Sequence, residues 1–236
     1  SRGLGDVYKR QSDSSMLFGS FGNMFLWDSN RISYISDLHL MHRIKNAGCK
    51  SKEDVVFTIK KIIDDILAES TSLTLIGGDV SSEFSIFELF VKMLRKLAGS
   101  GRRNFVFVLG NHELWNFPGL SVDEIVDKYR TVLKENGMYL LHNDLFYRNE
   151  SDDMGIIPYD ELIQSDNQAI LEKLRCTRLV ILGGLGFSGY NEEFNANDGV
   201  YRATVDRNTE IQESKKFEQL YDTVSYTHLT LPTTER

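Results

Sequence analysis

The feature that most constrains the fold is an alternation of short apolar segments with longer amphipathic segments in the first half of the chain. Residues 31–36, 73–76 and 104–109 are apolar or alternate apolar with polar side chains, as expected of strands. Between them, residues 51–67 and 84–94 carry apolar side chains at helical spacing. Alternating strands and helices pack as a buried, mainly parallel sheet covered by helices. The sequence therefore predicts an α/β domain.

The second half of the chain continues this alternation less regularly. Residues 138–141 and 145–148 predict two strands joined by a tight turn, and residues 178–182 predict a further buried strand. Helices are predicted around residues 170–174 and at residues 210–221. No stretch resembles a linker long enough to separate two domains, so one domain is the simplest interpretation.

The composition excludes several classes of protein. Hydrophobic residues make up 41% and charged residues 26% of the 236 residues, and no apolar run reaches the about 18 residues that a membrane-spanning helix needs. The formal net charge of -7 argues against a nucleic-acid-binding surface over the whole molecule. Cys49 and Cys176 match no metal-binding or redox spacing and are interpreted as reduced thiols. We expect a cytoplasmic protein without a membrane partner.

The two ends of the chain are related to each other at the level of DNA. A DNA sequence that encodes residues 6–11 (DVYKRQ) is the reverse complement of one that encodes residues 224–229 (VSYTHL), as if one sequencing adaptor flanked a gene fragment. We therefore expect residues 1–11 and 224–236 to be adaptor-derived tails. Residues 12–223 would then be a single partial domain, and the sequence would carry no information on a signal peptide.

Polar side chains follow the three strands of the first half. Asp37 and His39 follow the first strand, Asp79 the second, and Asn111 and His112 the third. In an extended segment, Asp37 and His39 would project to the same side. Ligands of α/β proteins bind at the carboxyl ends of the strands, and carboxylate, imidazole and carboxamide groups suit divalent cations. The two oxygens of Asp79 can bridge two ions about 3.5–4 Å apart.

Three short motifs contain these residues: ISDLHL at residues 35–40, GGDV at 77–80 and GNHE at 110–113. Together, in this order, they resemble the calcineurin-like metallophosphoesterase superfamily. The resemblance implies a metallophosphoesterase-like αββα sandwich, incomplete at the C-terminus, because the family's further metal-binding His and Gly-His-x-His segment do not occur after GNHE. His142 is instead predicted to lie in a buried strand with a structural role.

The resemblance also implies roles for the five polar residues. Asp37 and His39 would bind a first metal ion, Asp79 would bridge both ions, and Asn111 would bind the second. His112 would be the catalytic residue that contacts the scissile phosphate or protonates the leaving group. The cofactors would be two divalent ions such as Mn, Fe or Zn, while residues that bind the rest of the substrate stay unknown.

The predicted activity is hydrolysis of phosphate mono- or diesters by a hydroxide that the two metals activate. Its substrate would be a phosphorylated small molecule or a nucleotide or nucleic-acid phosphoester, and no protein partner is predicted. The alternative is a non-catalytic phosphate-binding or scaffold module of the same fold. We further expect the 236-residue chain to aggregate and to lack appreciable turnover, even if its parent protein is active.

Overall fold

The computed structural model describes residues 31–99, 103–164, 167–174, 177–185 and 207–229. Its strands are β1 (Ile32–Ile35), β2 (Leu73–Gly77), β3 (Asn104–Val108), β4 (Tyr139–Leu140), β5 (Asp144–Asn149), β6 (Met154–Ile157) and β7 (Thr177–Gly183). Its helices are α1 (Leu40–Asn46), α2 (Lys52–Glu69), α3 (Phe84–Ala98), α4 (Asn111–Leu114), α5 (Val122–Glu135), α6 (Tyr159–Gln164), α7 (Asn167–Leu174) and α8 (Arg207–Leu229). Residues 1–11 and 230–236, which fall in the predicted tails, and Cys176 lie outside the described residues.

The first four strands form one parallel sheet in the order β1-β2-β3-β4, as the alternating pattern predicts. Ile35 is in register with Ile76, and Gly77 with Val108, so the carboxyl ends of the three longer strands lie side by side. The crossover helix α2 begins at a capping box, in which Ser51 Oγ accepts the N–H of Asp54. This sheet brings the three motifs to one edge.

The structure has strands at both of the predicted positions, residues 138–141 and 145–148, but the short connection between them joins two different sheets. Strand β4 pairs with β3 in the parallel sheet, whereas β5 pairs antiparallel with β6 and β7 in a second sheet of order β6-β5-β7. The chain changes sheets at residues 141–143, where Asn143 has a φ of 56°. His142 therefore lies in this connection rather than in a strand, although it is buried as predicted.

Three buried apolar clusters separate four layers of structure. The largest lies between the parallel sheet and helices α1–α5, and includes Phe87, Phe107 and Tyr129. A second joins the two sheets and includes Val106 and Phe146. The third packs the antiparallel sheet against α6, α7 and α8. The order helix, sheet, sheet, helix is the αββα sandwich that the family resemblance implies.

The last helix is longer than the predicted residues 210–221. Helix α8 extends over Arg207–Leu229, and Leu220 and Val224, one turn apart, are both buried in the third cluster. The helices α7 and α8 and strand β7 fall where the sequence predicts them, whereas β6 and α6 are additional elements. Among the helices in the described part of the chain, none has the length and apolar character needed to cross a membrane.

Candidate metal centre

The loop after β1 carries Asp37 and His39 in a strained backbone conformation. Their φ angles are 57° and 44°, so both residues adopt the left-handed region and the expectation of an extended segment is wrong. The backbone turns sharply because the N–H groups of Asp37 and His39 donate to the carbonyl oxygens of Gly78 and Asp79, at 3.2 and 2.8 Å. The two side chains still meet, with His39 Nε2 3.7 Å from Asp37 Oδ1.

The loop after β2 is equally constrained and presses against the loop after β3. Asp79 has a φ of 54°, and Gly78 has a φ of 83°. A Cβ on Gly78 would lie 2.7 Å from the backbone nitrogen of Gly110, which is closer than real Cβ atoms come to other atoms. Gly78 is therefore required both by its conformation and by the close approach of the two loops.

Glu113 connects these two loops from beneath. Its side chain is fully buried, and Glu113 Oε2 accepts the N–H groups of Asp79 and Gly110 at 3.0 and 2.8 Å. Glu113 Oε1 accepts the N–H of Ser81 at 3.0 Å. The third motif thus contributes a carboxylate that fixes the backbone of the second motif.

The side chains above Glu113 converge on Asp79. Ligand atoms of His39, Asp79 and His112 all lie within 4.8 Å of one another. The N–H of His112 donates to Asp79 Oδ1 at 3.0 Å, and the amide of Asn111, turned with its nitrogen toward the carboxylate, lies 3.2 Å from both oxygens of Asp79. With Asp37 beside His39, all five residues singled out from the sequence gather at this edge of the parallel sheet.

Burial changes the pKa of two groups in this cluster. Burial lowers the pKa of His112, an effect that Asp79 and Asp37 oppose and His39 reinforces. Burial also raises the pKa of Glu113, although the three N–H groups that it accepts favour its charged form. Both shifts arise because the site sits over the apolar core rather than in open solvent.

An aromatic stack lies along one side of the cluster. The rings of His39 and His112 pack edge to face with their centroids 4.6 Å apart, and His112 packs against Trp115 at 4.3 Å. Trp115 therefore restricts the orientation of the His112 ring.

The sequence alone did not single out the residues that support the GNHE turn. Tyr129 is fully buried on α5, and its hydroxyl donates to the carbonyl of Glu113 at 3.1 Å. Asn116 Nδ2 donates to that hydroxyl at 3.0 Å, while Asn116 Oδ1 accepts the N–H of Phe84 at 2.8 Å. The apolar periodicity of α5 predicts that Tyr129 is buried, but no local pattern predicts its polar contact.

A comparison with models of protein families identifies the family of this chain. A family model for the calcineurin-like phosphoesterases matches residues 31–230, a span from the start of β1 to the end of α8 that holds all five clustered residues. Comparisons with curated proteins and with solved structures gave no match. Because the family model covers most of the sequence, the chain belongs to the calcineurin-like phosphoesterase family.

Proposed function

We propose that this protein hydrolyses phosphate mono- or diesters with two divalent metal ions, such as Mn, Fe or Zn, held by Asp37, His39, Asp79 and Asn111. The observation that carries the proposal is the convergence of His39, Asp79 and His112 ligand atoms within 4.8 Å, at the carboxyl ends of parallel strands. Membership of a phosphoesterase family supports the reaction class. The number and identity of the ions are part of the proposal.

The residues fit a pair of divalent ions. The cluster combines two carboxylates, an imidazole and a carboxamide, donors that suit first-row divalent cations. Asp37, His39 and Asp79 all have left-handed backbone angles, a cost of about 1–3 kcal/mol each that persists only where the surrounding structure imposes it. When bound, the ions would lower the pKa of water and offset the charge that develops on the phosphate.

The residues of this chain would divide the remaining work among themselves. Asp37 and Asp79 supply negative charge to the ions, and Glu113 holds the Asp79 and Gly110 backbone in place. His112 faces the same space, so its imidazole would contact a phosphate oxygen or give a proton to the leaving oxygen. Burial lowers the pKa of His112 and favours its neutral imidazole, an effect that the nearby Asp79 and Asp37 oppose.

The site is open enough for a substrate from solution. The side chains of Asp37 and His39 are 63% and 35% exposed, so a phosphoester can reach them without a large movement of the backbone. Trp115, packed on His112, offers a flat apolar surface beside the predicted leaving group. We therefore propose a phosphorylated small molecule or a nucleotide or nucleic-acid phosphoester as the substrate.

The test pairs ion binding with turnover. Mn²⁺ binding to this chain is measured by titration calorimetry, and hydrolysis of p-nitrophenyl phosphate and of its bis ester is followed on this chain and on the parent protein. We expect Asp79→Asn to weaken Mn²⁺ binding and to lower kcat/KM at least about 100-fold, because one substitution removes charge from both ions. Asp65→Asn, at an exposed position on α2, is the matched control and should change neither quantity.

Two results would contradict the proposal. One is hydrolysis that continues unchanged after complete removal of divalent ions with a chelator. The other is Mn²⁺ binding that Asp79→Asn leaves at the affinity of the Asp65→Asn control. The comparison of the mono- and diester substrates then assigns the preferred ester.

A further inference from the structure

A second polar cluster lies one strand beyond the proposed catalytic site. His142 follows the carboxyl end of β4, Asp123 lies in the first turn of α5, and Glu213 lies on α8. One ligand atom from each of these three residues lies within 4.8 Å of the other two. The cluster shares no residue with the Asp37–Asp79 site, and it joins three elements that are distant in sequence.

The distances suit a small cation. His142 Nε2 lies 3.1 Å from Glu213 Oε2 and 4.0 Å from Asp123 Oδ1. Ligand atoms at zinc–nitrogen and zinc–oxygen distances of about 2.0–2.2 Å stand about 3.4 Å apart in a tetrahedral site. The two observed distances fall on either side of this value, so shifts below 1 Å would bring all three atoms to coordination distance.

An unsatisfied buried nitrogen points into this cluster. The side chain of His142 is only 8% exposed, and within the described residues its Nε2 makes no hydrogen bond of good geometry, although Glu213 Oε2 contacts it at 3.1 Å. A buried polar atom without a hydrogen bond lowers the stability of the fold, so such atoms call for an explanation. A cation between Nε2 and the two carboxylates would provide the missing partner.

Glu213 has coordination capacity left on the side that faces His142. Its Oε1 accepts from Lys216 Nζ at 2.6 Å, and its Oε2 accepts from Asn143 Nδ2 at 2.9 Å. Each carboxylate oxygen has two acceptor positions, so Oε2 retains one for an ion.

We propose that Asp123, His142 and Glu213 bind a divalent cation of the zinc type, with water completing a tetrahedral site. The ion would connect α8 to the amino-terminal turn of α5 and to the connection between the two sheets. One imidazole and two carboxylates form a donor set that suits zinc, and because the ion would join three separate parts of the fold away from the proposed catalytic site, its role would be structural. This proposal does not depend on the proposed catalytic function.

The experiment separates this site from the catalytic one. The background is the full chain with Asp37→Asn and Asp79→Asn, in which the proposed catalytic ligands are weakened. Zn²⁺ binding is measured by calorimetry, and Co²⁺ is added as a spectroscopic probe whose visible absorption reports tetrahedral coordination. We expect one ion per chain in this background and tetrahedral Co²⁺ bands.

Three variants in that background decide the assignment. Asp123→Asn alters a side chain that is 74% exposed, so the fold should tolerate it, and we expect at least about 10-fold weaker Zn²⁺ binding. His142→Ala should weaken binding more than about 100-fold, beyond the usual effect of groups that only orient a ligand. Asp127→Asn, one turn further along α5 and 73% exposed, is the matched control and should retain full affinity.

Either of two outcomes would overturn the proposal. If the background protein binds no Zn²⁺ and gives no tetrahedral Co²⁺ spectrum, then His142 and Glu213 form only an ion pair. If Asp123→Asn and Asp127→Asn bind Zn²⁺ equally, the ion lies elsewhere. The Asp123→Asn result stands even if His142→Ala fails to fold.

Discussion

Two buried glutamates, Glu113 and Glu213, respond to burial in opposite ways. The Glu113 side chain is fully buried and the Glu213 side chain is 6% exposed. Burial raises the pKa of Glu113, whereas the pKa of Glu213 falls to about 2 despite its burial. The same side chain in two buried places therefore serves two different purposes.

The difference comes from the partners of each carboxylate. Among the described residues, Glu113 accepts only neutral backbone N–H groups and lies near the negative Asp79, so no cationic group in this part of the chain offsets its desolvation. Glu213 faces Lys216 and His142, and charged partners favour the ionised form strongly. Glu113 fixes backbone geometry, while Glu213 joins side chains from separate layers.

The largest effect is expected from Glu113→Ala. The substitution would leave the N–H groups of Asp79, Ser81 and Gly110 without their acceptor in a buried place, at about 1–3 kcal/mol for each group that water cannot reach. We expect the free energy of unfolding to fall by about 3 kcal/mol or more, measured by urea denaturation. Mn²⁺ affinity should fall with it, because the loops that carry Asp79 and Asn111 lose their connection.

The control for this prediction is Glu124→Ala, which removes an exposed glutamate of the same local type. Glu124 also accepts a backbone N–H three residues before it, from Ser121 at 2.8 Å, in the capping box of α5. Its loss should be much smaller, because water replaces the lost acceptor. Equal destabilisation by the two variants would mean that Glu113 acts only as a helix cap.

The comparison of the two glutamates also shows which contacts the sequence could predict and which it could not. Parallel strands end at one sheet edge, so consecutive strand–loop–helix units brought Asp37, His39, Asp79, Asn111 and His112 together without knowledge of tertiary packing. One hydrogen-bond donor to Glu213, the side chain of Asn143, lies 70 residues away in the sequence and in a different layer. No local period or motif reports such a contact.

The backbone conformation of the loop after β1 is a second feature that the sequence did not predict. The spacing of Asp37 and His39 correctly predicts that their side chains meet, but the extended backbone assumed for it is wrong. Hydrogen bonds from this loop to Gly78 and Asp79 impose the left-handed angles. Those partners lie in the loop after another strand, so the sequence around Asp37 and His39 does not reveal them.

The second prediction concerns acid and Glu213. Its pKa in the folded chain, about 2, is below its ordinary value of 4.5, so Glu213 contributes stability that is present above pH 4.5 and is lost as the pH falls toward 2. We expect about 2 kcal/mol of this contribution to be lost between about pH 6 and about pH 3. Urea denaturation at about pH 6 and about pH 3, with a chelator present, should show a smaller pH-dependent loss in Glu213→Gln than in the unmodified chain. An equal loss in both proteins would show that the charge of Glu213 is not stabilised by folding.

The smallest effect, and the most direct test of strain at the catalytic edge, is expected from Asp37→Gly. Asp37 has a φ of 57° and a side chain that is 63% exposed, so glycine relieves the left-handed strain with little loss of packing. We expect the free energy of unfolding to rise by about 0.5–1 kcal/mol while Mn²⁺ affinity falls. Asp37→Asn keeps the left-handed backbone but removes the charge that repels Asp79. The difference in the free energy of unfolding between Asp37→Gly and Asp37→Asn therefore measures the relief of backbone strain alone. Gly48→Ala measures the free-energy cost of a left-handed backbone without steric contacts, because Gly48 has a φ of 66° and a Cβ there would meet nothing within 4 Å. If Asp37→Gly is no more stable than Asp37→Asn while Gly48→Ala is destabilised by about 1 kcal/mol, the loop after β1 stores no strain, and its geometry serves only to place the side chain.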